Sequence, residues 1–253
     1  MNIKTGYIVW DGKSSEEYGI GVEKHPNTSR PTRKMDIFSV PGRNGDIILP
    51  QDAWDNVTES YDIYLNDGIS FNETAQTSAD DLADWLMSPT GYCKLYDEWE
   101  PDSFRLAYFQ GPFDVKNIMS VTGRATIKFV CQPQKFLETG QVEIALDSSR
   151  TTVWNPTAYK ARPIIIIPAH AEATLPYTLT IGVNTVTVNT KNKIIINCEE
   201  QDCYDSAGNN MNSYVSLTSG EFPVLSAGSN AATLIDAGSA NKSFTMIPNY
   251  WRL

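Results

Sequence analysis

The sequence predicts a mainly β protein with one short helix, folded as two domains. Short apolar–polar alternations recur along most of the 253 residues, each closed by Gly, Pro, Asn or Asp. A single stretch, "TSADDLADWLMSPTGY", carries apolar residues at helical spacing. From Gln141 onward charge thins and Ser, Thr, Asn and Ala take over, which divides the chain into 1–140 and 141–253. That length suffices for two cores, and 41% hydrophobic with 20% charged residues is the composition of a folded chain.

The elements follow in order. "GYIVWDGKSS" is a strand ending in an Asp11-Gly12 hairpin turn. In "KMDIFSVPGRNGDIIL", Ile37, Phe38 and Val40 lead into Pro41-Gly42 and Asn44-Gly45, and Ile47 to Leu49 return. Arg43 is expected at an exposed tip, because Asn-Gly supplies the positive φ of a tight reversal. "ESYDIYLND" alternates Tyr61, Ile63 and Leu65 against Asp62, Tyr64 and Asn66, a half-buried strand. In the helix, Ser78 is expected to cap and Asp80 and Asp81 to occupy the first turn. Ala79, Leu82, Ala83 and Leu86 form its apolar face with Trp85 flanking, and Pro89 and Gly91 end it.

Next comes "YCKLYDEWEPDSFRLAYFQG", then "GRATIKFVCQPQKF" with Ala125, Ile127, Phe129 and Cys131 on one strand face and Pro133 as its stop. "SSRTTVWNPTAYKARP" reads as a linker. Beyond it all is strand and turn: "RPIIIIPA" closed by Pro163 and Pro168, the drawn hairpin "TLTIGVNTVTVN", and "GEFPVLSAGSNAATLIDAG" as two strands around Ser-Ala-Gly-Ser-Asn.

Charge and motifs exclude several functions. A net charge of −10 argues against nucleic-acid recognition, which needs clustered Lys and Arg. It permits a surface past which DNA slides without adhering. No apolar run reaches the length of a membrane span. The opening "MNIKTGYIVWDGKSS" has no basic-then-apolar signal pattern, so folding in the cytosol with reduced cysteines is expected. Cys198-x4-Cys203 has no nearby histidine and does not fit a metal site. His25 and His170 stand in different domains without a supporting nucleophile motif, and no phosphate-binding or dinucleotide fingerprint occurs. No catalytic residue, cofactor site or metal site is assigned.

"YDEWEPDSF" concentrates Asp97, Glu98, Glu100 and Asp102 beside Tyr96, Trp99 and Phe104. Paired carboxylates with stacking aromatics suit a glycosidase cleft; an acidic hairpin tip is the structural alternative. A lectin-like wall-adhesion protein would need an aromatic platform, for which Trp154, Tyr159 and Tyr177 are the candidates. Mostly, though, the residues describe a binding or assembly protein.

Taken in order, "FSVPGRNGDIIL", "SYDIYL", "DWLMSPTGYCKLYDEWEPDSFRLAYF" and "GRATIKFVCQPQKF" resemble distal tail proteins, the baseplate hub of long-tailed bacteriophages and related tail-like particles. "NPTAYKARPIIII" and "GEFPVLSAGSNAATL" resemble the start and late hairpin of that family's second domain, with Ala227 at a position where Pro would be unsurprising. The resemblance implies an N-terminal β-sandwich-type belt domain and a C-terminal galectin-like β-sandwich. It implies a homohexameric ring at the tail tip of the virion, assembled in the bacterial cytoplasm. Its partners would be the major tail tube protein, a tail-associated hub or lysin protein, and receptor-binding proteins. DNA would pass through the ring, with neither specific nucleic-acid binding nor membrane insertion. Pro41, Gly42, Arg43, Asn44, Gly45 and Asp46 are the assembly-interface candidates, and Asp97, Glu98, Trp99, Glu100 and Asp102 a possible contact loop.

Overall fold

The structure is a computed structural model describing residues 6–23, 30–66, 75–113, 116–118, 122–218 and 220–253, with the side chains of 65–66, 75–79, 116–118 and 122–123 left out. His25 and the side chains of Leu65 and Ala79 therefore lie outside the described residues. Among the described residues the chain is mainly β with a single α-helix. It divides into two compact units, Met1–Lys135 with Leu253, and Phe136–Arg252.

The first unit contains β1 (Ile8–Trp10), β2 (Lys13–Ser14), β3 (Ile20–Val22), β4 (Arg33–Phe38), β5 (Ile47–Trp54), β6 (Val57–Asn66), α1 (Ala75–Met87), β7 (Cys93–Asp97), β8 (Ser103–Phe109) and β9 (Lys116–Ile118). It also holds most of β10 (Thr122–Leu137). The main sheet runs β2-β1-β7-β8-β10-β6-β3, with β9 added beside β10. It curls back on itself, because Gly6, just ahead of β1, and Val22 of the end strand β3 exchange backbone hydrogen bonds of 3.1 and 2.8 Å as an isolated bridge. The sandwich-type layering expected of this half is thus realised as one sheet rolled on itself, which leaves few edges to protect. Tyr61, Ile63, Ile127 and Phe129 point into the roll, with the Trp10 and Phe129 rings 4.9 Å apart.

The helix covers this core with Leu82, Trp85 and Leu86, all buried; Trp85 lies on the apolar stripe itself, while Ala83 is only half-buried. The Trp85 ring stacks on Tyr18 at 5.0 Å, and its Nε1 donates to the Trp10 carbonyl at 3.4 Å. The helix starts at Ala75, so Ser78 is inside it rather than its cap, and Asp80 and Asp81 sit beyond the first turn. Good helix formers upstream of a serine extend a helix past a possible cap.

Pro133 does not stop its strand. The ladder between β10 and β6 ends at Cys131 opposite Val57. Pro133 lies past that point, where its missing N–H interrupts nothing on the β6 side.

The second unit contains β11 (Ile144–Leu146), β12 (Thr152–Asn155), β13 (Ile164–Ile167), β14 (Tyr177–Ile181), β15 (Asn184–Val188), β16 (Ile194–Asn197), β17 (Asp202–Tyr204), β18 (Val215–Leu217), β19 (Gly228–Ile235), β20 (Phe244–Ile247) and β21 (Trp251–Arg252). Two five-stranded sheets result, β11-β20-β13-β16-β17 and β12-β19-β14-β15-β18. Their inner faces share one core, in which Ile165, Ile196 and Phe244 of the first meet Leu179, Val186 and Leu234 of the second. The four isoleucines of β13 alternate, with Ile165 and Ile167 in the core and Ile164 and Ile166 half-buried outside.

Two expectations fail here. The supposed linker at 148–163 contributes β12 to a sheet, with Val153, Asn155 and Ala161 buried. Its polar residues are strand residues on an outer face and turn residues between strands. The stretch from Gly220 to Gly238 is not a two-stranded hairpin: only β19 is a strand, and Leu225 makes an isolated bridge to Ala161. The buried Asn230 side chain makes the reversal, accepting from Ser226 N at 2.9 Å and donating to the carbonyls of Ser226 and Gly228 at 2.8 and 3.0 Å. An amide side chain thus replaces the strand-to-strand ladder.

Candidate functional site

Among the described residues, β4 and β5 pair only with each other. Their register sets Phe38 opposite Ile47, Ile37 opposite Ile48, Asp36 opposite Leu49 and Met35 opposite Pro50. Opposed residues share a face and successive pairs alternate faces. One face thus carries Phe38, Ile47 and Leu49, and the other Ile37, Ile48, Met35 and Pro50. Both are open: Ile37 is 59% exposed, Ile48 56%, Phe38 53% and Leu49 51%. A two-stranded ribbon is marginal in water, and one with apolar residues on both faces is more so.

The base is held by Arg33 over the Trp54 ring at 5.7 Å and by Gln51 donating to Asp36 at 2.9 Å. At the tip Gly42 and Gly45 take φ of 81° and 80°, and Arg43 N donates to the Val40 carbonyl at 3.1 Å. Pro41 to Asp46 are all exposed, so the predicted tip is where the sequence placed it. Residues 30–55 hold Arg30, Arg33, Lys34 and Arg43 against Asp36, Asp46, Asp52 and Asp55, four charges of each sign. The arm is electrically neutral on a chain of net charge −10.

The Asp97–Asp102 segment is the turn between β7 and β8, and it is tied inward. Asp97 accepts from Trp99 N at 3.1 Å and Glu100 N at 2.9 Å, and the Tyr61 hydroxyl donates to it at 3.4 Å. Glu98 N donates to the Tyr7 carbonyl at 3.2 Å. Trp99 lies over Gly6, where an added Cβ would clash with the ring. Glu100 pairs with the Lys135 ammonium, and Asp102 is exposed. Asp97 and Glu100 are thereby committed to capping the turn and neutralising Lys135, so they do not stand as a free acid–base pair.

Sequence reasoning missed the charges behind this turn. Glu59, Arg105 and Lys135 are each buried; the Arg105 guanidinium lies 3.4 Å from Glu59 and donates to the Pro133 carbonyl at 3.3 Å. Burial raises the Glu59 carboxyl above its ordinary value, against the opposing pull of Arg105 and Lys135. Burial likewise raises the Tyr61 hydroxyl and pushes the Cys131 thiol up to about 12. All four cysteines are free thiols. Among the described residues no group of three or more His, Cys, Asp or Glu could hold a metal ion, and no helix is long and apolar enough to cross a membrane.

The three platform aromatics are not brought together as a surface. Tyr177 is fully buried in the second core, which removes it from any platform. Tyr159 stacks on Trp251 at 4.5 Å, and only Trp154, 67% exposed on β12, offers an open ring.

A family model for the phage tail protein RIFT-related domain matches residues 13–131. The fold matches the Dit (gp 19.1) protein of phage SPP1, described as a paradigm of hub adsorption apparatus in Gram-positive infecting phages. That match has a TM-score of 0.75 at 14% identity over 99% of this chain and 100% of that one. A chain of the phage P2 baseplate, in its activated conformation with Ca, matches at a TM-score of 0.53 and 11% identity, over 96% of this chain and 97% of that one. No curated protein matches by sequence. Identities this low make these likenesses of fold. Residues 13–131 thus match the model of the phage tail protein RIFT-related domain, and the chain from end to end has the fold of the SPP1 Dit protein.

Proposed function

We propose that the chain is the subunit of a homohexameric ring that terminates a phage tail tube, an architectural protein rather than an enzyme. The N-terminal domain (1–140) forms the belt around a channel, and the C-terminal domain (141–253) completes the subunit. One face of the ring meets the major tail tube protein and the other a tail-associated hub or lysin protein. Receptor-binding proteins attach at the periphery, and the ring is built in the host cytoplasm before joining the virion. The carrying observation is the β4–β5 arm, neutral and apolar on both faces, in a chain otherwise strongly acidic. Such a ribbon becomes stable when other surfaces cover it, and copies of net charge −10 approach one another most easily where charge is balanced. The same acidity supports a lumen to which DNA does not adhere.

Native mass measurement and negative-stain imaging of the purified chain test the proposal. A six-subunit ring is expected for the natural sequence, and loss of the ring for Arg43→Glu, which turns the neutral tip acidic. Because Arg43 is exposed, that substitution should leave the fold within about 0.5 kcal/mol of wild type. A chain that stays monomeric under every condition overturns the ring. An Arg43→Glu ring of normal mass removes the tip from the interface.

A further inference from the structure

The arm has a counterpart on the same unit. Pro89, Thr90, Gly91, Tyr92, Tyr108 and Phe109 line a pocket of about 330 Å³ between the end of α1 and strand β8. No lining residue is an acid or a base of the Lys, Arg, Asp or Glu kind. The Tyr92 and Tyr108 rings meet edge to face at 5.4 Å, and the Tyr92 hydroxyl accepts from Asn56 Nδ2 at 3.1 Å. Tyr92 nevertheless remains 44% exposed and the adjacent Met87 54%. An aromatic wall of this kind is the surface on which proline rings dock.

We infer that Val40 and Pro41 at the arm tip of one copy fill this pocket on the next copy. The inference rests on the ring proposed above and names its contact. The occupant is a second copy for a reason of reach. Asn56 directly follows the arm's base, so its bond to Tyr92 places the pocket beside that base. From Arg33 at the base to Gly42 at the tip, an extended strand spans about 30 Å. A chain's own tip cannot return to its own base without unpairing β4 from β5, whereas a neighbour's tip arrives from outside. Charge agrees, since Val40, Pro41 and the pocket lining are uncharged, and two acidic copies meet with least repulsion on such surfaces. Knob and pocket lie on different parts of one chain, so the contact is head-to-tail, the kind that generates a closed ring when the rotation closes.

The test pairs Val40→Cys with Thr90→Cys, both at exposed positions, and follows oxidation by non-reducing gels, peptide mapping of the disulfide and native mass. A ladder of covalent multimers ending at the ring size, each link joining position 40 of one copy to position 90 of the next, is expected from the double variant only. In parallel, Tyr92→Ala should weaken assembly about tenfold or more while leaving the thermal melt of the monomer in place, as for truncation of an interface aromatic. Rings that form without the 40–90 link, and that Tyr92→Ala leaves unweakened, overturn the pocket contact while the ring stands. Tip-to-tip disulfides from Val40→Cys alone point to arm–arm pairing and also overturn it. Absence of rings from the natural chain defeats the ring proposal and this contact with it.

Discussion

Glu59, Arg105 and Lys135 expose only 4%, 6% and 5% of their surface, although the roll they sit in is built of apolar side chains. Strand parity put them there: Glu59 shares its face with Val57, Tyr61 and Ile63, and Arg105 with Ser103 and Ala107. That signal was legible, because the alternation that makes Tyr61 and Ile63 inward also makes Glu59 inward. What alternation cannot reveal is which distant strands bring the compensating charges. The two sides of the pair should respond differently to substitution. Arg105→Met leaves Glu59 buried without its nearest cation and should destabilise by about 3–5 kcal/mol. Glu59→Gln keeps the shape and removes a carboxyl whose folded pKa is raised from 4.5. A raised acid contributes stability that is complete below its ordinary value and is lost as pH rises through the folded value. The Glu59→Gln variant should therefore gain on wild type as pH climbs from 4.5 through that raised value, and hold a constant difference above it. Denaturant melts across that range check both; a difference that shrinks with rising pH would show that Arg105 outweighs burial at Glu59.

Elements whose turn is written locally were the readable ones. Asp11-Gly12 and Gly182-Val183 each join strands through two residues, with φ of 50°, 78° and 57° at Asp11, Gly12 and Gly182. Elements decided by partners were not. β12 looked like linker because its outer residues, Thr152 and Trp154, hide the fact that Val153 and Asn155 face a core supplied by other strands. The reversal before β19 depended on one buried amide, Asn230, which propensity does not single out. Another such turn follows β19. Asp236 accepts from Ala240 N at 2.9 Å and Thr174 N at 3.2 Å, and Lys242 lies 3.2 Å away. The bond from Ala240 N is the largest cause of the fall of the Asp236 pKa from 3.8 to about 2; burial, next in size, opposes it, and Thr174 and Lys242 add to the lowering. A lowered acid contributes stability above its ordinary value and loses it as pH falls through the folded value. Wild type should thus lose stability between 3.8 and about 2 through this group, and Asp236→Asn should show a flatter acid limb from a lower plateau. Acid titration followed by tyrosine and tryptophan fluorescence measures it; coincident limbs would mean that the turn persists without the charge.

At the scale of the molecule, the two forces acting on assembly have opposite signs. In the proposed ring, ten excess negative charges per copy push subunits apart, and the apolar arm draws them together. The composition made the first visible, while the second needed the register that puts Ile37 and Ile48 on one face and Phe38 and Ile47 on the other. The balance between them can be read by salt. Between 0.01 M and 0.15 M ionic strength the screening length falls from ~30 Å to ~8 Å, so long-range repulsion fades while short-range apolar contact does not. Ring formation should therefore strengthen with salt over that range, and more steeply if kosmotropic sulfate replaces chloride, since excluded salts favour burial of apolar surface. Sedimentation velocity of the full chain gives the ring fraction directly. Dissociation on adding salt would reverse the assignment, because only a ring held chiefly by ion pairs, such as contacts from Arg33, Lys34 and Arg43 to acidic neighbours, weakens as charges are screened.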